Sequence, residues 1–432
     1  MKLFEYPELG ERFWESVTES GLRLRVVPRP GFARAYAMLV VNYGSVDART
    51  LVDGELFTVP QGTAHFLEHK MFDMPDMDVM EAFTRTGANP NAFTGYAMTA
   101  YYFDCTDAFG ENLALLLRYV TTPWFSQESV EKELGIIGQE IGMYSDSPGA
   151  RLSENLQAAM YACHPLREPI LGTEATIAEI TPEVLNRTHQ AFYHPSNLLL
   201  LVVGDVDPEA VERIAAREIP VTPVPRTERL PVEEPLTVPT HRVEQRMEVS
   251  MPMFAVGFKC APSADPADNL RLSLLGSLAA DVLAGESSAL YTRLYTDGLI
   301  DAGFSAAFLS LTGAAMLAFS GDSCDPDAVV EALYEEKERL LREGIDPIRF
   351  RRLKRAAEGE RLRELDSFET LCCAMAECLA DGQEYHRFPE LSRELTEQDV
   401  LDLLAECVRP ERCVLSLILP EDTESEEAED VR

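Results

Sequence analysis

The chain has 432 residues, and its 38 lysines and arginines against 73 aspartates and glutamates give a formal charge of −35. At roughly 100–200 residues per domain this length implies two to four domains, and 46% hydrophobic residues are enough for full cores, which excludes wholesale disorder. An acidic surface repels phosphate, so neither non-specific nucleic-acid binding nor docking on anionic membranes is expected.

Residues 1–8 carry neither the apolar run nor the small-residue cleavage site of a signal peptide. Strand-like alternation follows at Leu22–Val27 and Ala35–Tyr43, and then a helical pattern around Thr63–Met71. That helix contains His65, Glu68 and His69 in the order HxxEH. At i and i+4 the two imidazoles leave one face, one turn apart, where neutral ring nitrogens can chelate a single ion. Glu68 is three residues from His65 and shares the face, close to any water on that ion. Two imidazoles and one carboxylate suit Zn²⁺ and leave a position open for water. The water is acidified there, and Glu68 is placed to accept its proton and pass it to a leaving amine.

After Gly87, Asn91-Ala92-Phe93-Thr94 and Thr99–Tyr102 suit an edge strand whose free backbone groups can pair with an extended peptide. Asn91 offers a side-chain amide to such a peptide, and Phe93 a pocket wall. Further on, Glu133 and Glu140 lie seven residues apart, two turns along one helical face, with Leu134, Ile137 and Ile141 as the apolar stripe. One carboxylate can supply a third metal ligand while the other holds a ligand or relays protons. The longest aliphatic stretch, Leu198–Val203, is far too short to span a membrane.

The clearest boundary is residues 219–245, which hold six prolines and read as a semi-rigid connector. Beyond it the pattern repeats: strands at Met247–Ser250 and Met253–Lys259, a helix over Asn269–Leu283, and a late strand at Cys413–Leu419. The expected architecture is α+β, two similar α/β sandwich domains from a duplication, over 1–218 and 246–420. Residues 421–432 read as a solvated acidic tail; removing its seven acids and Arg432 still leaves −29. Nine cysteines, an odd number with no CxxC pair, point to free thiols in a reducing cytoplasm.

These landmarks together resemble the pitrilysin/insulinase superfamily of metallopeptidases with an inverted zinc motif. Gly62–His69 is similar to the family's active-site helix, and Gly87–Tyr101 to its substrate-binding strand. Glu133 and Glu140 are similar to its paired glutamates, and His164–Gly172 and Phe192–Asn197 to its later landmarks. The resemblance implies His65, His69 and Glu140 as zinc ligands, Glu68 as general base and Glu133 as a supporting catalytic carboxylate. It implies Asn91, Ala92 and Phe93 as peptide-binding positions. Asp146 is the fallback third ligand.

One family feature is absent. The arginine and tyrosine that reach the zinc from the second half fall here at Tyr295 and Asp301, with Arg293 on the wrong side of Leu294. The resemblance therefore implies half of an enclosed chamber, completed by a homologous subunit without zinc ligands that supplies Arg and Tyr; a homodimer is the other arrangement. A zinc endopeptidase acting on peptides or unfolded polypeptides is the expected activity. The competing reading, a catalytically silent scaffold subunit, has against it the retention of every zinc-site residue.

Overall fold

Nine strands of the first half are β1 (Lys2–Tyr6), β2 (Glu11–Val17), β3 (Arg23–Pro28), β4 (Ala35–Val41), β5 (Arg49–Val52), β6 (Glu55–Thr58), β7 (Asn89–Thr94), β8 (Thr99–Cys105) and β9 (Leu198–Gly204). Later come β10 (Thr227–Arg229), β11 (Arg242–Met247), β12 (Met253–Cys260), β13 (Ser305–Leu311), β14 (Ala314–Asp322) and β15 (Cys413–Pro420). The computed structural model describes residues 1–421 except Thr222 and Thr312, so the acidic tail lies, beyond Glu421, outside the described residues.

Seven strands form a sheet in the order β1-β2-β3-β9-β4-β8-β7, and five form a second sheet in the order β11-β15-β12-β14-β13. The second repeats the first strand for strand. β3 runs parallel to β9 as β11 does to β15. β4 lies antiparallel between β9 and β8 as β12 does between β15 and β14. β7 and β13 are the matching edge strands, each paired on one side only. The duplicated α/β architecture is thus visible in register and direction, while β1 and β2 are an extension of the first sheet alone.

The proline-rich segment contributes to both halves. Thr227–Arg229 adds a third strand to the small sheet β10-β5-β6, and Arg242–Gln245 belong to β11. Proline cannot donate a ladder hydrogen bond, and these two windows are proline-free.

Five helices frame the site: α1 (Thr63–Lys70), α2 (Val79–Arg85), α3 (Phe109–Thr121), α4 (Gln127–Ser145) and α5 (Pro148–Met160). Every residue of β4 is buried, as expected of a central strand covered on both faces. Its alternate residues serve different cores. Ala37, Leu39 and Val41 pack with Phe66 and Leu67 of α1 and with α3. Tyr36, Met38 and Val40 face the other way, into a core shared with Leu371, Cys372 and Met375 of the helix Phe368–Ala380. Reciprocally, Leu152, Leu156 and Met160 of α5 cover Ala255, Val414 and Ile418 of the second sheet. The approach is close: a Cβ on Gly257 of β12 would lie 2.3 Å from the Met160 side chain. Each half therefore lends a helix to the other's sheet.

All nine cysteines are free. Among the described residues no helix is long and apolar enough to cross a membrane.

Candidate metal centre

α1 starts at Gly62, whose φ of +90° lets the chain turn sharply into the helix. All of its residues except His69 are buried, so its orientation is fixed by packing rather than by an amphipathic face. The His65 and His69 rings stand 4.6 Å apart between centroids, as i,i+4 side chains on one helix should. α4 crosses α1, capped by Ser126, whose side chain accepts the Ser129 N–H, and brings Glu133 and Glu140 to the same place.

The Nε2 atoms of His65 and His69 each lie 3.6 Å from Glu140 Oε2. One ligand atom from each of these three residues falls within 4.8 Å of the others. A contact of 3.6 Å is too long for a hydrogen bond. It is close to the separation, about 3.4 Å, of two ligands on one tetrahedral ion with bonds of about 2.1 Å. Glu133 Oε1 sits 2.9 Å from His69 Nδ1. A proton on Nδ1 satisfies that contact and leaves the Nε2 lone pair facing Glu140, the carboxylate–histidine arrangement that orients a metal ligand. The donor set therefore fits a zinc ion.

The electrostatics agree. Burial, reinforced by neighbouring His69, lowers the His65 pKa to about 3, so its ring is neutral and available as a ligand. Burial also opposes charge on His69, but the hydrogen bond and charge of Glu133, with Glu68 and Glu140 nearby, outweigh it and raise its pKa. The ring is thus drawn toward a positive charge by surrounding carboxylates, which is the field a cation would meet. Burial raises Glu68, opposed by a hydrogen bond from Thr94. At Glu133 burial is outweighed by His69 and Lys70, and its pKa falls.

Glu68 is buried on the same helix face, and its Oε2 accepts the Thr94 hydroxyl at 2.6 Å. A cavity of about 400 Å³ opens over this group, lined also by Ala92, Phe93 and Tyr96. A larger cavity of about 680 Å³ between α2, α3 and the helix Pro208–Glu218 is lined by exposed Arg85, Arg118 and Arg217 together with Glu111 and Glu218, and among the described residues it holds no metal-ligand group.

The structure thus brings together His65, Glu68, His69, Glu133 and Glu140, with Ala92 and Phe93 at the cavity wall. Asn91 is exposed, its Oδ1 accepting the Ala92 N–H at 2.9 Å, and it does not line the cavity. Asp146, the fallback ligand, is exposed at the C-cap of α4 and outside the ligand group. In the second half, Arg293 pairs with Glu335 and Tyr295 stacks on Tyr291; neither they nor Asp301 line the cavity. Its phenols, Tyr96 and Tyr144, both come from the first half. Sequence reasoning missed Thr94 and the buried Lys70, which bonds Asp73 and lies 3.9 Å from Glu133. Neither hydroxyl nor ammonium stands out without knowledge of which strand meets which helix.

A family model described as insulinase, peptidase family M16, matches residues 32–174, and one described as peptidase M16 inactive domain matches residues 179–357. The chain is 36% identical over 430 residues to a Bacillus subtilis (strain 168) protein named uncharacterized zinc protease YmfH, covering 97% of this chain and 99% of that one. The crystal structure of a chain described as an M16-like peptidase from Alicyclobacillus acidocaldarius matches with a TM-score of 0.92 and 32% identity, over 97% of this chain and 100% of that chain. Pitrilysin shares the fold, with a TM-score of 0.73 and 18% identity, over 95% of this chain and 45% of its own.

Proposed function

This chain belongs to the insulinase (M16) peptidase family, and from that membership we propose that it is a zinc-dependent endopeptidase. The observation that carries the reading is the convergence of His65 Nε2, His69 Nε2 and Glu140 Oε2 beside a buried, oriented Glu68. Bound there, zinc supplies Lewis-acid polarisation of a scissile carbonyl and acidifies a water. Glu133 holds His69 in the ligating tautomer. Glu68, anchored through Oε2, receives the water proton on Oε1 and delivers it to the departing amine nitrogen.

The substrate is an extended peptide added to the free edge of β7, its backbone paired with residues around Ala92 and its side chain against Phe93. Such pairing selects extended, unfolded segments over folded proteins. Because Arg293, Tyr295 and Asp301 do not line the cavity, the cationic and phenolic donors expected from a second half come from a homologous subunit without zinc ligands, closing a chamber over the cavity. The match of 179–357 to an inactive domain supports a second half that binds no metal itself.

The test is zinc content and hydrolysis of an unstructured fluorogenic peptide by wild type and Glu68→Gln, each with and without the co-purified homologous subunit. Wild type should hold one zinc per chain and cleave. The variant should keep zinc and lose about 10²–10⁴ in kcat. Equal rates for the two proteins, or a wild type inactive in both forms, would sink the peptidase reading.

A further inference from the structure

We propose that Thr94 is the positioning residue for the proton-transferring carboxylate, fixing Glu68 in register with the strand on which a peptide lies. This deepens the peptidase reading and rests on it.

Thr94 is the last residue of β7, the edge strand of the seven-stranded sheet. Its hydroxyl donates to Glu68 Oε2 at 2.6 Å, a length in the charge-assisted range. Among the described residues this is the only protein hydrogen bond to the Glu68 carboxylate, so Oε1 keeps its lone pairs for the cavity. A glutamate has three rotatable bonds, and nothing else polar holds this one still.

The hydroxyl itself sits at a rigid point. Past Thr94 the chain turns, with the Gly95 N–H bonded to Met98 O at 2.8 Å. The turn is fastened from outside by the Ser45 N–H on Gly95 O at 3.1 Å and the Val46 N–H on Tyr96 O at 3.0 Å. The Tyr96 hydroxyl adds a 2.5 Å bond to Gln157 of α5. Gly44, next to Ser45, has no room for a Cβ, which would lie 2.4 Å from Tyr96 O. The turn is therefore clamped from two sides, and Thr94 transmits that fixed position to Glu68.

The functional consequence is alignment. The backbone that would set the register of an added peptide strand is the backbone that sets the base. A peptide paired with β7 then presents its scissile bond to a carboxylate placed by the same strand. Misplacement of a reacting group by about 1 Å costs about 10²-fold in rate.

The experiment compares zinc-loaded full-length wild type, Thr94→Val and Thr94→Ser, together with the partner subunit if activity requires it. Valine keeps the shape and removes the donor; serine keeps the donor. Thr94→Val is expected to lose about 10- to 100-fold in kcat with KM within about twofold and one zinc per chain retained, while Thr94→Ser stays within about threefold of wild type. In a Glu68→Gln background, adding Thr94→Val should leave the residual rate and the affinity for uncleaved peptide unchanged. The proposal is overturned if Thr94→Val retains wild-type kcat, if its loss is accompanied by zinc loss or a raised KM, or if serine does no better than valine. An inactive wild type sinks both readings; an active wild type with an indifferent Thr94→Val sinks this one alone.

Discussion

Replacing Gly62 by alanine tests how the helix carrying His65 and His69 is seated. At φ +90° an L-residue is strained by about 1–2 kcal/mol. The added Cβ would also lie 2.4 Å from Leu171 O, 3.0 Å from Leu171 C and 2.9 Å from Ile177 Cγ2. The first two are backbone atoms, and they are hemmed in: a Cβ on neighbouring Gly172 would stand 2.5 Å from Gln61 O. Two backbones cross here with glycine on each, so neither can yield freely, and overpacking adds about 1–3 kcal/mol. The sum is about 2–5 kcal/mol, a large part of the roughly 5–15 kcal/mol that holds a typical protein folded. Gly87 is the control: it has φ +71° but nothing within 4 Å of a Cβ, so alanine there brings strain alone. Urea unfolding of the zinc-loaded proteins should show Gly62→Ala destabilised well beyond Gly87→Ala, with weaker zinc retention. Equal destabilisation of the two variants would refute the reasoning.

Glu133→Gln removes the charged acceptor of His69 Nδ1 and should weaken zinc binding about 10- to 100-fold in competition with a chelator; unchanged affinity would show that Glu133 does not support the ligand. Lys259 is buried against Glu234 at 2.5 Å, and its ammonium also donates to Met160 O. Lys259→Met should cost about 3 kcal/mol, the low end for breaking a buried pair, because three backbone N–H groups still serve Glu234; a loss under about 1 kcal/mol in thermal unfolding would contradict this. Burial alone raises Glu384, but the His386 ring and the Arg25 guanidinium outweigh it and hold its pKa at about 2. With the folded pKa depressed, this carboxylate contributes about 3 kcal/mol above its ordinary value of 4.5, lost as the pH falls from there toward 2. Glu384→Gln should flatten the pH dependence of unfolding free energy in that window, and an unchanged slope would count against the assignment.

The gathering of His65, His69, Glu133 and Glu140 was legible because helical periodicity converts spacing into direction. His65 and His69 one turn apart, and Glu133 and Glu140 two turns apart, can each be placed on a face without a structure. The edge strand was legible for a similar reason, with Ala92 and Phe93 reaching the cavity; Asn91 was not, because its side chain folds back on its own strand. What escaped was contact between distant elements. Thr94 meets Glu68 only because β7 ends beside α1, and Arg25 meets Glu384 across 359 residues. Local pattern carries no information about such meetings. The strands inside the proline-rich segment escaped for a different reason: six prolines dominated a composition in which two short proline-free windows do the pairing.

The exchange of helices between the two halves has a consequence for synthesis. The face of β4 formed by Tyr36, Met38 and Val40 has its cover in the helix Phe368–Ala380, more than three hundred residues downstream. At translation rates of about 5–20 residues per second, that strand emerges from the ribosome roughly 15–70 s before the helix that buries it. Through that interval a row of large apolar side chains is open to neighbouring nascent chains. A cut within 219–245 in the finished molecule, by contrast, would leave two fragments still gripping each other through Phe368–Ala380 and α5. The chain is vulnerable while it is being made and tolerant of nicking once complete.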